Sequence, residues 1–161
     1  MLAVTSPTLP AAIEFHETDL ERPFSTPYEA SADVVVSLET IEHLENPRAF
    51  ARELVRLARP GGWILVSTPN QLSLKSLATL MVKQRFADFQ DIHYPAHITA
   101  LLEVDLHRIA AECGLEQIAI EYSYYGRILL TSRHYPLALA RRFPRALSDN
   151  LLVVGRKNAQ R

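Results

Sequence analysis

An α/β fold with a mainly parallel sheet is the class this sequence predicts, and three stretches predict it. Val34, Val35 and Val36 form an unbroken β-branched run, and Trp63, Ile64, Leu65 and Val66 form a second continuous apolar run. Runs of this kind read as strands buried on both faces, the habit of parallel sheets. Between them lies the clearest helix signal in the chain. Asn46 is a good N-cap, and Pro47 falls at the first helical position, where its missing N–H costs nothing. Phe50, Leu54, Leu57 and Ala58 then make one apolar stripe, while Arg48, Arg52, Glu53, Arg56 and Arg59 are expected to face solvent. Pro60, Gly61 and Gly62 stop that helix. Strand, helix, glycine turn and strand make a βαβ unit.

The other elements follow in order. Residues 13–16 read as a short strand, and Pro23 and Pro27 mark a loop after it, because each proline removes a donor and biases its predecessor away from helix. A second helix is expected over 72–85. The polar, aromatic stretch 86–97 contains Pro95, which precludes a regular helix. Thr99 can cap a third helix, with Leu102, Leu106, Ile109, Ala110 and Cys113 on its apolar face and Gly114 just past its end. Residues 118–125 and 151–154 read as the last two strands, separated by an insertion over 127–149. Cys113 and Trp63 read as packing residues.

Composition narrows the function classes. The 161 residues and 18.2 kDa allow one domain, and 48% hydrophobic with 22% charged content is ordinary globular usage. A net charge of −1 and a pI near 6.6 give no general attraction for nucleic acid. The single cysteine excludes an internal disulfide framework. No apolar run approaches the roughly eighteen residues of a membrane span, and no basic segment precedes the first apolar residues, so a cytoplasmic protein is expected. Only five glycines occur, the first at Gly61, which excludes a glycine-rich phosphate loop in the first sixty residues. Charge is uneven: residues 127–161 carry eight basic residues against one acid, Asp149.

Three segments carry a family resemblance. Asp33 through Val34, Val35 and Val36 to Glu42, His43 and Pro47 resembles the fourth-strand motif of Rossmann-like S-adenosylmethionine-dependent methyltransferases. Leu54 to Asn70, with its Pro60-Gly61-Gly62 turn, is similar to their helix, turn and fifth strand. His97, Ile98 and Thr99, leading to Leu106, Gly114 and Leu115, resemble the helix before their sixth strand. The resemblance implies a partial methyltransferase domain over 13–157, between an extension (1–12) and a tail (158–161). It also implies S-adenosylmethionine as cofactor and a small-molecule acceptor, by O-methylation. Family members bind ligands beyond the carboxyl ends of the strands, which points to Asp19, Leu20, Ser37, Leu38 and Glu39 as cofactor-side residues. Asp19 would accept from the adenine amino group and Leu20 N–H would meet a ring nitrogen.

Glu39, Glu42 and His43 are spaced i, i+3 and i+4, so one helical turn would put all three on one face. The ubiquinone-biosynthesis O-methyltransferase branch has a similar cluster, associated there with a divalent metal, and two carboxylates with an imidazole are a sensible ligand set. His43 as a general base toward an acceptor hydroxyl is the other reading. His93 and His97 have metal-like spacing, but Pro95 between them favours a structural or pocket role. Arg141, Arg142, Phe143, Pro144 and Arg145 are a candidate anion or lipid-surface contact, or a solvated loop. The family's glycine turn and ribose-gripping acid are not found in this sequence, so the fold is expected to be incomplete, lacking the first βαβ unit. In the family's sheet order, 3-2-1-4-5-7-6, that leaves the Val34 strand as an exposed edge where another copy or another chain could pair. Weak cofactor binding by this chain is the consequence. A non-catalytic homologue serving as a partner or regulatory subunit is the alternative.

Overall fold

The computed structural model describes residues 14–26 and 28–159. The elements run β1 (Ala32–Ser37), a 3-10 turn (Ile41–His43), α1 (Pro47–Leu57), β2 (Ala58–Pro69), α2 (Leu74–Lys83), a second 3-10 turn (Asp91–His93), α3 (Glu103–Glu112), β3 (Leu115–Tyr122), α4 (Leu137–Arg142), α5 (Pro144–Leu147) and β4 (Asn150–Lys157). The four strands form one sheet in the order β1-β2-β4-β3. β1 and β2 pair in parallel, joined through α1, while β4 runs antiparallel to both β2 and β3. Three of the four strands therefore point the same way, and β4 enters between two of them from the opposite end. The order is the one the family resemblance implies, and β1 is an edge.

The α1 signals act as read. Asn46 Oδ1 accepts from Ala49 N at 2.9 Å, and Pro47 opens the helix. Phe50 and Leu54 are buried, each worth about 1.5–3 kcal/mol of apolar burial. Gly61 adopts φ +77°, and a Cβ on Gly62 would lie 3.0 Å from Ala32 O and 2.9 Å from Arg59 O. The expected separate turn is not formed: α1 ends at Leu57, and Pro60, Gly61 and Gly62 lie inside β2, where its pairing with β1 shifts register. The glycines are required there by a left-handed residue and by close approach to β1. α1 and α3 lie together on one face of the sheet, and Ile41, Phe50, Leu54, Ile64, Leu106 and Val153 belong to the core between them.

Several expectations are corrected. Ile13 and Pro27 lie outside the described residues, and Glu14, Phe15 and His16 form no strand: all three are exposed, with no strand beside them to take their hydrogen bonds. β1 is not buried on both faces. Val35 is covered, but Val34 and Val36 are 52% and 53% exposed on the opposite face. Glu53, assigned to the solvent side of α1, is buried. Thr99 does not cap α3; its hydroxyl donates to Leu44 O at 2.6 Å, and the Asp105 carboxylate accepts from Leu102 N instead. β3 starts three residues earlier than expected, at Leu115. The 127–149 insertion holds two short helices. Cys113 packs against the core as expected, whereas Trp63 is 37% exposed, with the Arg156 guanidinium 5.8 Å from its ring centre.

Candidate functional site

The carboxyl ends of β1 and β2 meet side by side, and the chain leaving β1 builds the site. Glu39 sits at φ +50°, a left-handed kink ahead of the 3-10 turn rather than part of it. The expected single face of Glu39, Glu42 and His43 is therefore not formed. The Glu39 carboxylate accepts from Ser67 Oγ at 2.6 Å and from the Asn150 side chain, which ties it to β2 and β4. Glu42 turns inward and is completely buried. Its Oε2 accepts from Thr68 Oγ1 at 3.1 Å, and its Oε1 has no partner among the described residues. Burial raises the Glu42 carboxyl above the ordinary carboxylate range, and the charge of Glu39 pushes the same way.

His43 stands at the edge of this pocket. Its Nδ1 lies 2.8 Å from Ala96 O, and its Nε2 is 3.9 Å from Glu42 Oε1. A carbonyl can only accept, so Nδ1 carries a proton, and Nε2 is the nitrogen that has a lone pair whenever the ring is neutral. A distant segment completes the group. Ile98 N and Thr99 N both donate to Glu42 O, at 3.1 and 3.0 Å, and this brings His97 against His43 with ring centres 4.6 Å apart. His97 Nδ1 is buried and unpartnered among the described residues. Ligand atoms of Glu42, His43 and His97 lie within 4.8 Å of one another, a grouping that can hold a metal ion. His93 stacks behind His97 at 5.4 Å and accepts from Gln90 N, so it serves the loop. The expected structural or pocket role of His97 does not include this contact with His43. Its partner lies more than fifty residues away and is reached through backbone hydrogen bonds, which leave no trace in spacing.

Two hollows flank the group. One, of about 240 Å³, is walled by Leu20, Phe24, Val36, Leu38 and Phe50, with Ser37 beneath it. Ser37 Oγ is buried without a hydrogen-bond partner among the described residues. Asp19 lies near the entry to this segment but makes a local turn, its carboxylate accepting from Glu21 N at 3.0 Å and pairing with Arg22 at 3.2 Å. The other is a cleft of about 480 Å³ beside Glu39 and His97. Lys75 bridges Asp88 and Asp149 across it, at 3.6 and 3.4 Å, and Tyr125 stacks on His134 with ring centres 3.9 Å apart. The lysine bridge to Asp149 could not be read from the sequence because it joins segments far apart in the chain, and the aromatic pair depends on the Arg127–His134 loop closure.

A model described as a methyltransferase domain matches residues 6–120. The chain belongs to the methyltransferase-domain family. A Mycolicibacterium smegmatis protein named "Probable S-adenosylmethionine-dependent methyltransferase" is 32% identical over 124 residues, which is 75% of this chain and 44% of that protein. The mitochondrial ubiquinone biosynthesis O-methyltransferase of Dictyostelium discoideum is 31% identical over 70 residues, 44% of this chain and 22% of that protein. The chain thus spans less than half the length of these relatives. Among solved structures, an Archaeoglobus fulgidus SAM-dependent methyltransferase superposes with a TM-score of 0.61 at 16% identity, over 88% of this chain and 66% of that one. A Bacillus halodurans protein described as a putative methyltransferase gives 0.56 at 18% identity, over 91% and 78%. At such identities these establish the fold alone. Among the described residues no helix is long and apolar enough to cross a membrane.

Proposed function

We propose that this chain forms the adenine-side edge and the acceptor side of an S-adenosylmethionine-dependent O-methyltransferase for a small hydroxylated molecule. The observation that carries the reading is His43, whose Nδ1 is held against Ala96 O at 2.8 Å and whose Nε2 lies 3.9 Å from the buried Glu42 carboxylate. The cofactor supplies a methyl group on a sulfonium, ready for displacement by an oxygen nucleophile. In this reading Nε2 takes the acceptor's hydroxyl proton, Ala96 O keeps the ring in register through Nδ1–H, and Glu42 steadies the imidazolium that results. The hollow over Ser37, with apolar walls and one unsatisfied hydroxyl, suits a purine ring. Leu20, Ser37 and Leu38 would hold the adenine, Asp19 its amino group after leaving its local turn, and Glu39 the rim toward the acceptor. The cleft with Lys75, Tyr125 and Asp149 is polar with charges of both signs, which fits a hydroxylated acceptor. No glycine turn for the cofactor's methionine end occurs among these residues, so its affinity for this chain is expected to be weak.

Ring ¹⁵N shifts of His43 test the base directly. The Nδ1-protonated tautomer is expected; an Nε2-protonated ring would give the acceptor's proton nowhere to go and would refute the reading.

A second reading rests on two atoms without hydrogen-bond partners among the described residues, Glu42 Oε1 and His97 Nδ1: a divalent metal ion held with His43 Nε2, which would then not take the acceptor's proton. One carboxylate and two imidazoles suit a borderline ion such as Zn²⁺ better than Mg²⁺. Titration with Zn²⁺ is expected to show one site per chain that His97→Ala removes and Glu39→Ala leaves in place. Equal loss in both variants would instead restore the Glu39, Glu42 and His43 set.

A further inference from the structure

The cleft of about 480 Å³ beside Glu39 and His97 does not end at Lys75. A second hollow, of about 600 Å³, shares Lys75, Asp88, Arg127 and Ser132 with it, so the two meet at a common wall. Their charges differ. Three acids, Glu39, Asp88 and Asp149, line the first against two cations, Lys75 and Arg127. The second keeps both cations, adds Lys83, and has Asp88 as its one acid. α2 supplies the side of the second hollow. Lys75, Thr79 and Lys83 are spaced i, i+4 and i+8, which puts them on one helix face, with Lys83 about 12 Å from Lys75 along the axis. The loop 127–134 supplies another side and is closed on itself, Ile128 N donating to Arg133 O at 2.9 Å and Arg127 pairing with His134 across it. The three cations are not equally committed. Lys75 lies 3.6 and 3.4 Å from Asp88 and Asp149, and Arg127 lies 3.8 Å from Asp149. Lys83 makes no ion pair among the described residues.

We propose that the second hollow is an anion subsite of the acceptor site, holding a carboxylate or phosphate group that the acceptor carries at the end away from its hydroxyl. The inference rests on the acceptor reading above: a molecule whose hydroxyl lies in the first hollow beside His97 lays its far end along α2 toward Lys83. The acceptor class is then an elongated hydroxy acid or hydroxylated phosphate ester rather than a neutral polyol. An anion there meets Lys83 without breaking an existing ion pair, and Arg127 and the Ser132 hydroxyl add donors on the loop side. Asp88 opposes it and sets the limit on affinity, because its charge is of the same sign and it holds Lys75.

The test is a titration of ¹⁵N-labelled chain with inorganic phosphate and, separately, with acetate, followed by amide shifts. Saturable shifts are expected at Lys83, Thr131 and Ser132, weakening as sodium chloride is raised. The anion that binds more tightly identifies the acceptor's group as phosphate or carboxylate. Lys83→Ala is expected to weaken binding about fivefold, the effect of one exposed charge pair, and Lys83→Arg to keep it within about twofold. Asp88→Asn is expected to tighten it, by removing the like charge and releasing Lys75. Lys83 is exposed, so its variants should fold as the parent does, which unchanged shifts elsewhere verify. No saturable shift at these amides with either anion, or an affinity that Lys83→Ala leaves unchanged, would overturn the proposal. Neither cofactor nor hydroxylated acceptor is present in this titration. A failure of the methyl-transfer reading therefore leaves its shifts in place, and a failure here leaves the His43 tautomer in place.

Discussion

His43→Gln is expected to slow methyl transfer by about 10²- to 10⁴-fold, the range for removing a positioned general base. The readout is S-adenosylhomocysteine release with a small hydroxylated acceptor. Glutamine can still donate its amide N–H to Ala96 O, so the loop over 96–99 should stay in place, but it has no lone-pair nitrogen to take the proton. The loss is therefore expected in kcat with little change in stability, because the His43 ring is exposed. A variant as fast as the parent chain would remove His43 from the chemistry.

Glu53→Ala is expected to cost about 3 kcal/mol of stability, from the range for leaving charged hydrogen bonds unmade in a buried site. Its Oε2 accepts from Phe24 N at 2.9 Å, from Ser25 N at 3.0 Å and from Ser25 Oγ at 2.9 Å, and its Oε1 pairs with Arg56. One carboxylate therefore ties the segment that forms the Leu20 and Phe24 wall of the hollow beside β1 onto α1. Removing it leaves three donors unpaired, and thermal unfolding should fall by about 10 °C for a chain of this size. The pH dependence has a definite sign. Burial alone would raise the Glu53 carboxyl, but the hydrogen bonds from Ser25 and Phe24 and the charge of Arg56 outweigh it, and the carboxyl is held below its ordinary value of 4.5. A group depressed in the folded state stabilises fully above its unfolded value and loses that contribution as pH falls through the folded one. The gap between parent and variant should therefore be constant near neutrality and shrink on acidification below about 4.5. A gap that widens in acid would contradict the assignment.

How much of this was legible in the sequence depended on the reach of each interaction. α1, its Asn46 cap and its Pro47 start are local, and they were readable because every partner lies within a few residues. The helix stop before Pro60 was readable for the same reason, but the Pro60-Gly61-Gly62 turn is an irregularity inside β2 set by pairing with β1, and the sheet order followed from the family motifs. Glu53 was misread because it borders the stripe of Phe50, Leu54 and Leu57, where periodicity alone does not decide. Its placement is fixed by donors at Phe24 and Ser25, nearly thirty residues away. Val34 and Val36 were misread because a β-branched run signals strand but does not say what covers it. At the candidate site, Glu42 and His43 could be read as neighbours because they are adjacent in the chain, and their side chains lie 3.9 Å apart. Glu39 was grouped with them by assuming a helical turn, and its left-handed backbone sends its carboxylate to Ser67 and Asn150 instead. His97 could not have been assigned, because what joins it to Glu42 is a pair of backbone hydrogen bonds.

The hollow lined by Leu20, Phe24, Ser37 and Leu38 is where the proposed adenine binding would distinguish a cofactor-binding methyltransferase edge from a bare scaffold. The most direct measurement is a titration of ¹⁵N-labelled chain with S-adenosylhomocysteine, followed by amide shifts. Saturable shifts are expected at Leu20, Ser37 and Leu38, with weak affinity. Shifts confined to the Lys75 and Arg127 cleft, or no saturable shift at these three amides, would contradict it.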